Sequence, residues 1–262
     1  MRRTTRRRLA ALAAAAVLAA VGGSGPIPAP GSAAEAWRVP VLMYHRVGTT
    51  LTAHDPITVS LTVMAPAFEA QLRLLSEAGY RSMRLGDLWA GLVGHASVPA
   101  RRVVLTFDDG YDDSYAVAFP LLRRYGFTAA FFIVTSTVGT PGHMTAAQLR
   151  EMAGAGMEIE SHGQHHLDFT QFSAPAARGE LARSREIISG WSGRPVAFFA
   201  YPAGRFSPAL ERLLGDLGYH GALTEVPGFV TPASAPFALE RLRVSHDDSP
   251  GTFARKLRFP PK

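Results

Sequence analysis

The chain of 262 residues is 47% hydrophobic and 18% charged and has no cysteine. That suits one sizeable core and excludes a disordered, collagen-like or disulfide-built protein, a thiolate metal site and a cysteine nucleophile. The formal charge of +6 is concentrated at the start: residues 1–36 hold five Arg and one Glu, while residues 37–262 carry 22 basic and 20 acidic side chains, too even a balance for a nucleic-acid face.

Arg2, Arg3, Arg6, Arg7 and Arg8 precede an apolar run over residues 9–21. That run is short for a bilayer span, which takes about 20 residues. A Gly-, Ser- and Pro-rich stretch and the A-x-A pattern Ala34-Glu35-Ala36 follow. Residues 1–36 are therefore predicted to be a signal peptide and linker, by the general or the twin-arginine route, with membrane contact only if the segment stays uncleaved. The expected location is periplasmic, cell-envelope or extracellular.

From residue 37 short apolar runs alternate with helical spacing. Residues 39–44 (VPVLMY) read as a buried strand. Phe68, Leu72 and Leu75 recur at helical spacing, and Gly79 ends that helix. Residues 80–85 read as a weak strand and 102–107 (RVVLTF) as a strong one, followed by a helix over 114–125. Strands are predicted at 128–134, 157–161, 196–201, 219–224 and 241–245. Helices fall at 145–155 with Thr145 as cap, 176–189, 207–217 with Ser207 as cap and Pro208 in the first turn, and 249–257. Residues 46–65 and 225–238 read as long loops. This repeat of strand and helix predicts an α/β protein, a distorted (β/α) barrel of seven or eight strands, with an open doubly wound sheet as the alternative. Residues 37–262 read as a single domain.

Polar clusters fall where strands end: Asp108-Asp109-Gly110, Ser161-His162-Gly163-Gln164-His165-His166, Tyr201-Pro202-Ala203-Gly204, and Ser245-His246-Asp247-Asp248. In parallel α/β folds that edge carries the active site. Two adjacent carboxylates after a buried strand repel each other unless a cation is near. One Asp with His162 and His166 makes a three-ligand set for a divalent metal, leaving positions for water and substrate.

The paired motifs Thr106-Phe107-Asp108-Asp109-Gly110 and Ser161–His166 resemble those of the NodB-homology polysaccharide deacetylases, carbohydrate esterase family 4, over about residues 100–262. Pro40–His45 and Phe198–Gly204 look like the subgroup that deacetylates poly-β-1,6-N-acetylglucosamine. The resemblance implies a metal-dependent hydrolase that removes N-acetyl groups from an exported polysaccharide. It makes Asp108 the general base and Asp109, His162 and His166 the metal ligands. Zinc is the default metal, with nickel, cobalt or iron able to take the same ligands. In the family the third motif carries an Arg, at Ala200 here, and an aromatic, at Ala203 here. By sequence the Arg that would orient the base is therefore missing. Tyr201, Pro202, Ala203 and Gly204 would line the substrate and oxyanion site, the latter through the backbone N–H of residue 203. The family's acid motif is also absent. His246 is the candidate acid, and His45 packs beneath the site or binds substrate. The departures leave two alternatives: a catalytically weak or inactive carbohydrate-binding homologue, or a metal hydrolase of another amide, such as a cyclic imide or the N-acetyl groups of peptidoglycan or a chitin-like chain.

Overall fold

Seven apolar strands close into one ring. The computed structural model describes residues 37–51 and 55–258; the predicted signal segment, 1–36, lies outside the described residues. In chain order the elements are β1 (Val39–Tyr44), β2 (Arg46–Gly48), α1 (Pro56–Leu61), β3 (Thr62–Met64), α2 (Ala65–Glu77), β4 (Arg81–Ser82), α3 (Leu85–Leu92) and β5 (Arg102–Phe107). A π turn over Ser114–Ala118 leads into α4 (Phe119–Tyr125), followed by β6 (Ala130–Ile133), α5 (Ala146–Gly154), β7 (Glu158–Ser161), α6 (Ala174–Ser192) and β8 (Phe198–Ala200). The chain ends with α7 (Pro208–Asp216), β9 (Gly221–Pro227), β10 (Phe229–Val230), β11 (Leu239–Arg243) and α8 (Pro250–Arg258).

The ring runs β1-β5-β6-β7-β8-β9-β11 and back to β1, parallel throughout. Alternation along each strand sorts the side chains. Val41, Val104, Ala130, Phe132, Phe198, Ala200 and Leu223 fill the interior. Leu42, Leu105, Phe131, Ile159 and Phe199 face outward under the helices. Leu85 and Leu88 of α3 join the interior group, so this helix plugs the N-terminal end of the ring. The opposite end, where the strands finish, stays accessible for chemistry. No helix among the described residues is long and apolar enough to cross a membrane.

The barrel agrees with the sequence reading, and four segments differ from it. Only Arg81 and Ser82 of the predicted 80–85 strand pair, alongside Arg102 and Val103 of β5, and they stay outside the ring. The chain then turns into α3, whose Leu85, Leu88, Trp89 and Leu92 follow helical spacing. The 46–65 loop contains β2, α1 and β3: Asp55 accepts from the Thr58 amide at 2.8 Å and Pro56 opens the helix. The 225–238 loop contains the end of β9 and β10, which pairs antiparallel with β1. The last strand runs Leu239–Arg243 rather than 241–245, which puts Arg241 in mid-strand. The caps at Thr145, a full capping box, and Ser207 form as the sequence indicates.

One carboxyl inside the ring has no cationic partner within salt-bridge distance among the described residues. Glu160 is level with Phe132 on the neighbouring strand, so it faces inward, and it is 4% exposed. One of its carboxylate oxygens accepts from the Ala197 and Phe198 amides, both at 2.8 Å. Burial pushes its pKa well above the ordinary carboxylate value, and Glu158 adds to the shift. A raised folded pKa means that stability is lost as pH rises above the unfolded value of 4.5. Glu160→Gln keeps an acceptor for both amides and removes that penalty. It should raise Tm by about 2–4 °C at neutral pH, with the gain vanishing near pH 4. Melting curves at both pH values check this; a loss of stability at neutral pH would contradict it.

Candidate active site

β5 and β7 end close together at the barrel mouth. The Asp109 carboxylate oxygen Oδ1 lies 3.4 Å from His162 Nε2 and 3.4 Å from His166 Nε2. The three ligand atoms fall within 4.8 Å of one another. Two ligands about 2.1 Å from a tetrahedral metal stand about 3.4 Å apart, so this donor set fits a divalent ion. His162 Nδ1 lies 2.7 Å from the Ala200 carbonyl. Donation from Nδ1 leaves the Nε2 lone pair facing Asp109 and His166, the tautomer a metal needs.

The backbone bends to make this set. Asp109, His166 and Ala203 have φ of 75°, 51° and 51°. Three non-glycine residues in the left-handed region at one mouth mark strain held for function. Gly163 at φ 87° allows the turn between the His ligands, since a Cβ there would lie 2.9 Å from the Phe169 ring.

Charges follow the same grouping. Burial works to raise the Asp109 carboxyl, but His162, His45 and His166 outweigh it and hold it well below the usual range. Burial disfavours the charged form of His162, yet Asp109 and Asp108 raise its pKa. His166 is lowered by burial and by the charge of His162.

Asp108 is 1% exposed. Arg241 of β11 grips it with both arms, Nη1 to Oδ1 at 2.8 Å and Nη2 to Oδ2 at 2.7 Å. The same guanidinium donates to the Thr224 carbonyl at 2.8 Å and to the Thr106 hydroxyl at 3.2 Å. Burial would raise the Asp108 carboxyl; Arg241 reverses this and keeps it low. The expectation that the base lacks an Arg is therefore corrected. The guanidinium comes from β11, two ring positions beyond the β8 residue Ala200. Sequence reading missed it because 241 was placed at the start of a strand, with no sign that its side chain crosses the barrel. β11 reads Leu239-Glu240-Arg241-Leu242-Arg243, and of its two arginines only Arg241 is fully buried, which the sequence alone does not distinguish.

His45 follows β1, whose Tyr44 pairs with Phe107, and the Tyr44 carbonyl accepts from the Asp108 amide at 3.0 Å. His45 therefore lies beside Asp108. It is buried, and burial lowers its pKa with help from Arg243 and Arg241, against the pull of Asp108 and Asp109. His246 lies three residues past β11, with Nδ1 3.1 Å from the Thr62 carbonyl and its amide on Ser60. His165 turns away and meets Glu180 at 2.9 Å. Tyr201 is fully buried under the helices and donates to the Phe237 carbonyl, so its ring does not line the mouth. Pro202 is buried and Ala203 is exposed. Gly204, at φ 65°, passes so close to Glu225 that a Cβ would lie 2.8 Å from its side chain.

The sequence profile described as Polysaccharide deacetylase matches residues 95–222. YxkH of Bacillus subtilis (strain 168), named for the same activity, is 30% identical over 216 residues, 82% of this chain and 75% of its own. The poly-β-1,6-N-acetyl-D-glucosamine N-deacetylase of Staphylococcus epidermidis is 24% identical over 228 residues, 79% of this chain and 78% of its own. The solved structure of Streptococcus pyogenes deacetylase PplD in complex with acetate matches with a TM-score of 0.79 at 26% identity, covering 84% of this chain and 98% of that one. On these likenesses the chain belongs to the polysaccharide deacetylase family of carbohydrate esterase family 4 and is a polysaccharide N-deacetylase.

Proposed function

We propose that this enzyme removes N-acetyl groups from an exported polysaccharide of N-acetylglucosamine, of the poly-β-1,6-linked type, using a divalent metal held by Asp109, His162 and His166. The observation that carries the reading is the three-ligand set beside a buried, Arg-held aspartate. The Staphylococcus epidermidis relative supports the substrate class, and residues 1–36 support export. A metal there, zinc by default, supplies Lewis acidity at the acetyl carbonyl. Asp108 takes the proton from the attacking water, and Arg241 keeps that carboxylate ionised and aimed. The exposed turn at Ala203 offers its backbone N–H to the developing oxyanion. His45, beside Asp108, relays the proton that Asp108 takes from water to the departing amine. Its place beside Asp108 favours it over His246, whose Nδ1 is occupied at Thr62. Water adds to the carbonyl carbon, the C–N bond breaks, and acetate and a glucosamine unit leave. Acetate is also the molecule bound in PplD.

Arg241 weakens the case for a homologue without activity, because the base has its cation. The test is acetate release from poly-β-1,6-N-acetylglucosamine, chitin oligomers and peptidoglycan side by side. The reading expects the highest kcat/KM on the β-1,6 polymer. Preference for either of the others would overturn the substrate class.

A further inference from the structure

The turn that carries Ala203 is strained, and two ion pairs brace it. Ala203 has φ 51° and Gly204 φ 65°. The Gly204 and Arg205 amides donate back into the turn, to the Tyr201 carbonyl at 2.9 Å and the Pro202 carbonyl at 3.2 Å. Proline has no N–H, and the Ala203 amide donates to no protein group among the described residues. The turn therefore leaves this one amide for the mouth. A non-glycine residue in the left-handed region persists only where its surroundings hold it there.

On one side Gly204 lies on Glu225 of β9: a Cβ added to Gly204 would sit 2.8 Å from both Cβ and Cγ of Glu225 and 3.0 Å from its amide nitrogen. Glu225 Oε2 in turn meets Arg243 Nη2 at 2.5 Å. Arg243 stands two residues beyond Arg241 on β11. The alternation that aims Arg241 inward at Asp108 thus brings Arg243 to the same face, nearer the mouth. The Arg243 carbonyl accepts from Lys256 Nζ at 2.7 Å, which ties this end of the strand to α8. On the other side Arg205 Nη1 meets Asp168 Oδ2 at 2.8 Å, and Asp168 follows His166 by two residues. The Thr170 hydroxyl donates to Asp168 Oδ1 at 2.6 Å and fixes that carboxylate. The turn is thereby tied to β11 through Glu225 and to the loop of the His ligands through Arg205.

We propose that Glu225, anchored by Arg243, is a positioning residue for deacetylation: it props the 202–204 turn so that the Ala203 N–H stands where the oxyanion forms. The inference rests on the reading above that this N–H meets the oxyanion. Glu225 acts through the backbone of Gly204. Its loss is therefore felt in the transition state, where charge reaches the acetyl oxygen, and hardly in substrate binding. A half-exposed ion pair contributes little to stability on its own, so a merely structural role predicts small effects on turnover.

The experiment uses the full chain with Glu225→Ala, Glu225→Gln and Arg243→Met, each checked for fold by circular dichroism and for metal content. Acetate release from poly-β-1,6-N-acetylglucosamine reads kcat and KM. A glucosamine oligomer with a methylphosphonamidate in place of one acetamide, a tetrahedral anion like the intermediate, reads Ki. Glu225→Ala should lower kcat about ten- to hundredfold, up to the scale of a lost oxyanion donor, raise Ki by a similar factor and leave KM within about twofold. Glu225→Gln removes the same charge but keeps the methylenes against Gly204 and an acceptor for Arg243, so it should stay within about threefold of wild type. Arg243→Met unfastens Glu225 and should move kcat and Ki the same way by about three- to tenfold, which decides the matter if Glu225→Ala does not fold. A kcat and a Ki within about twofold of wild type in a folded Glu225→Ala would overturn the proposal, and so would a loss of kcat with Ki unchanged. Ala203→Pro, which removes the N–H, separates the two ideas. If it too leaves kcat and Ki unchanged, the oxyanion reading falls and the prop with it. If it lowers kcat while Glu225→Ala does not, only the prop falls.

Discussion

Asp108→Asn should lower kcat on the polysaccharide by about two to four orders of magnitude, the usual worth of a general base. Metal content should stay at one equivalent, because Asp109, His162 and His166 are untouched. Asn still accepts from one arm of Arg241, so the interior keeps its shape, but its amide takes no proton from water. KM should change far less than kcat, since the lost interaction belongs to the transition state. Turnover close to wild type would show that water is activated by another group, with His45 the first to examine.

Arg241→Met should be the most damaging change in the barrel. It leaves the carboxylate of Asp108, 1% exposed, without its cation. Removing one partner of a buried ion pair costs about 3–5 kcal/mol. Activity should fall at least as far as in Asp108→Asn, because an unpaired buried carboxyl takes up a proton and stops acting as a base. The double variant Asp108→Asn/Arg241→Met separates stability from chemistry. With no orphaned charge it should be more stable than Arg241→Met alone while remaining inactive. Denaturant unfolding of the wild type, both single variants and the double variant gives the coupling. Additive losses would mean that the pair, despite its 2.7 and 2.8 Å contacts, does not act as a unit.

What could be read in advance followed what is local. The strands 39–44 and 102–107 carry their burial in short, mostly apolar runs, and both form with those bounds. Asp108, Asp109, His162 and His166 were legible because each motif ends a strand, and parallel barrels bring strand ends together. Arg241 was not, because its role depends on facing inward at one register of β11. A one-residue shift in strand placement changes the face a side chain points to. Tyr201 went astray for the same reason: at the end of β8 it alternates outward, into the helices. α3 was missed because the predicted 80–85 strand took in its first residue, Leu85, and residues 86–92 were given no element.

The central claim is that Asp109, His162 and His166 hold the metal on which deacetylation depends. Its most direct test is metal content by elemental analysis, alongside acetate release, for the wild type and His162→Ala, before and after chelation and zinc return. The account predicts one equivalent of metal in the wild type, acetate release lost on chelation and regained with zinc, and neither metal nor activity in a folded His162→Ala. A folded His162→Ala that keeps a full equivalent of metal, or a wild type that releases acetate equally well after chelation, would contradict it.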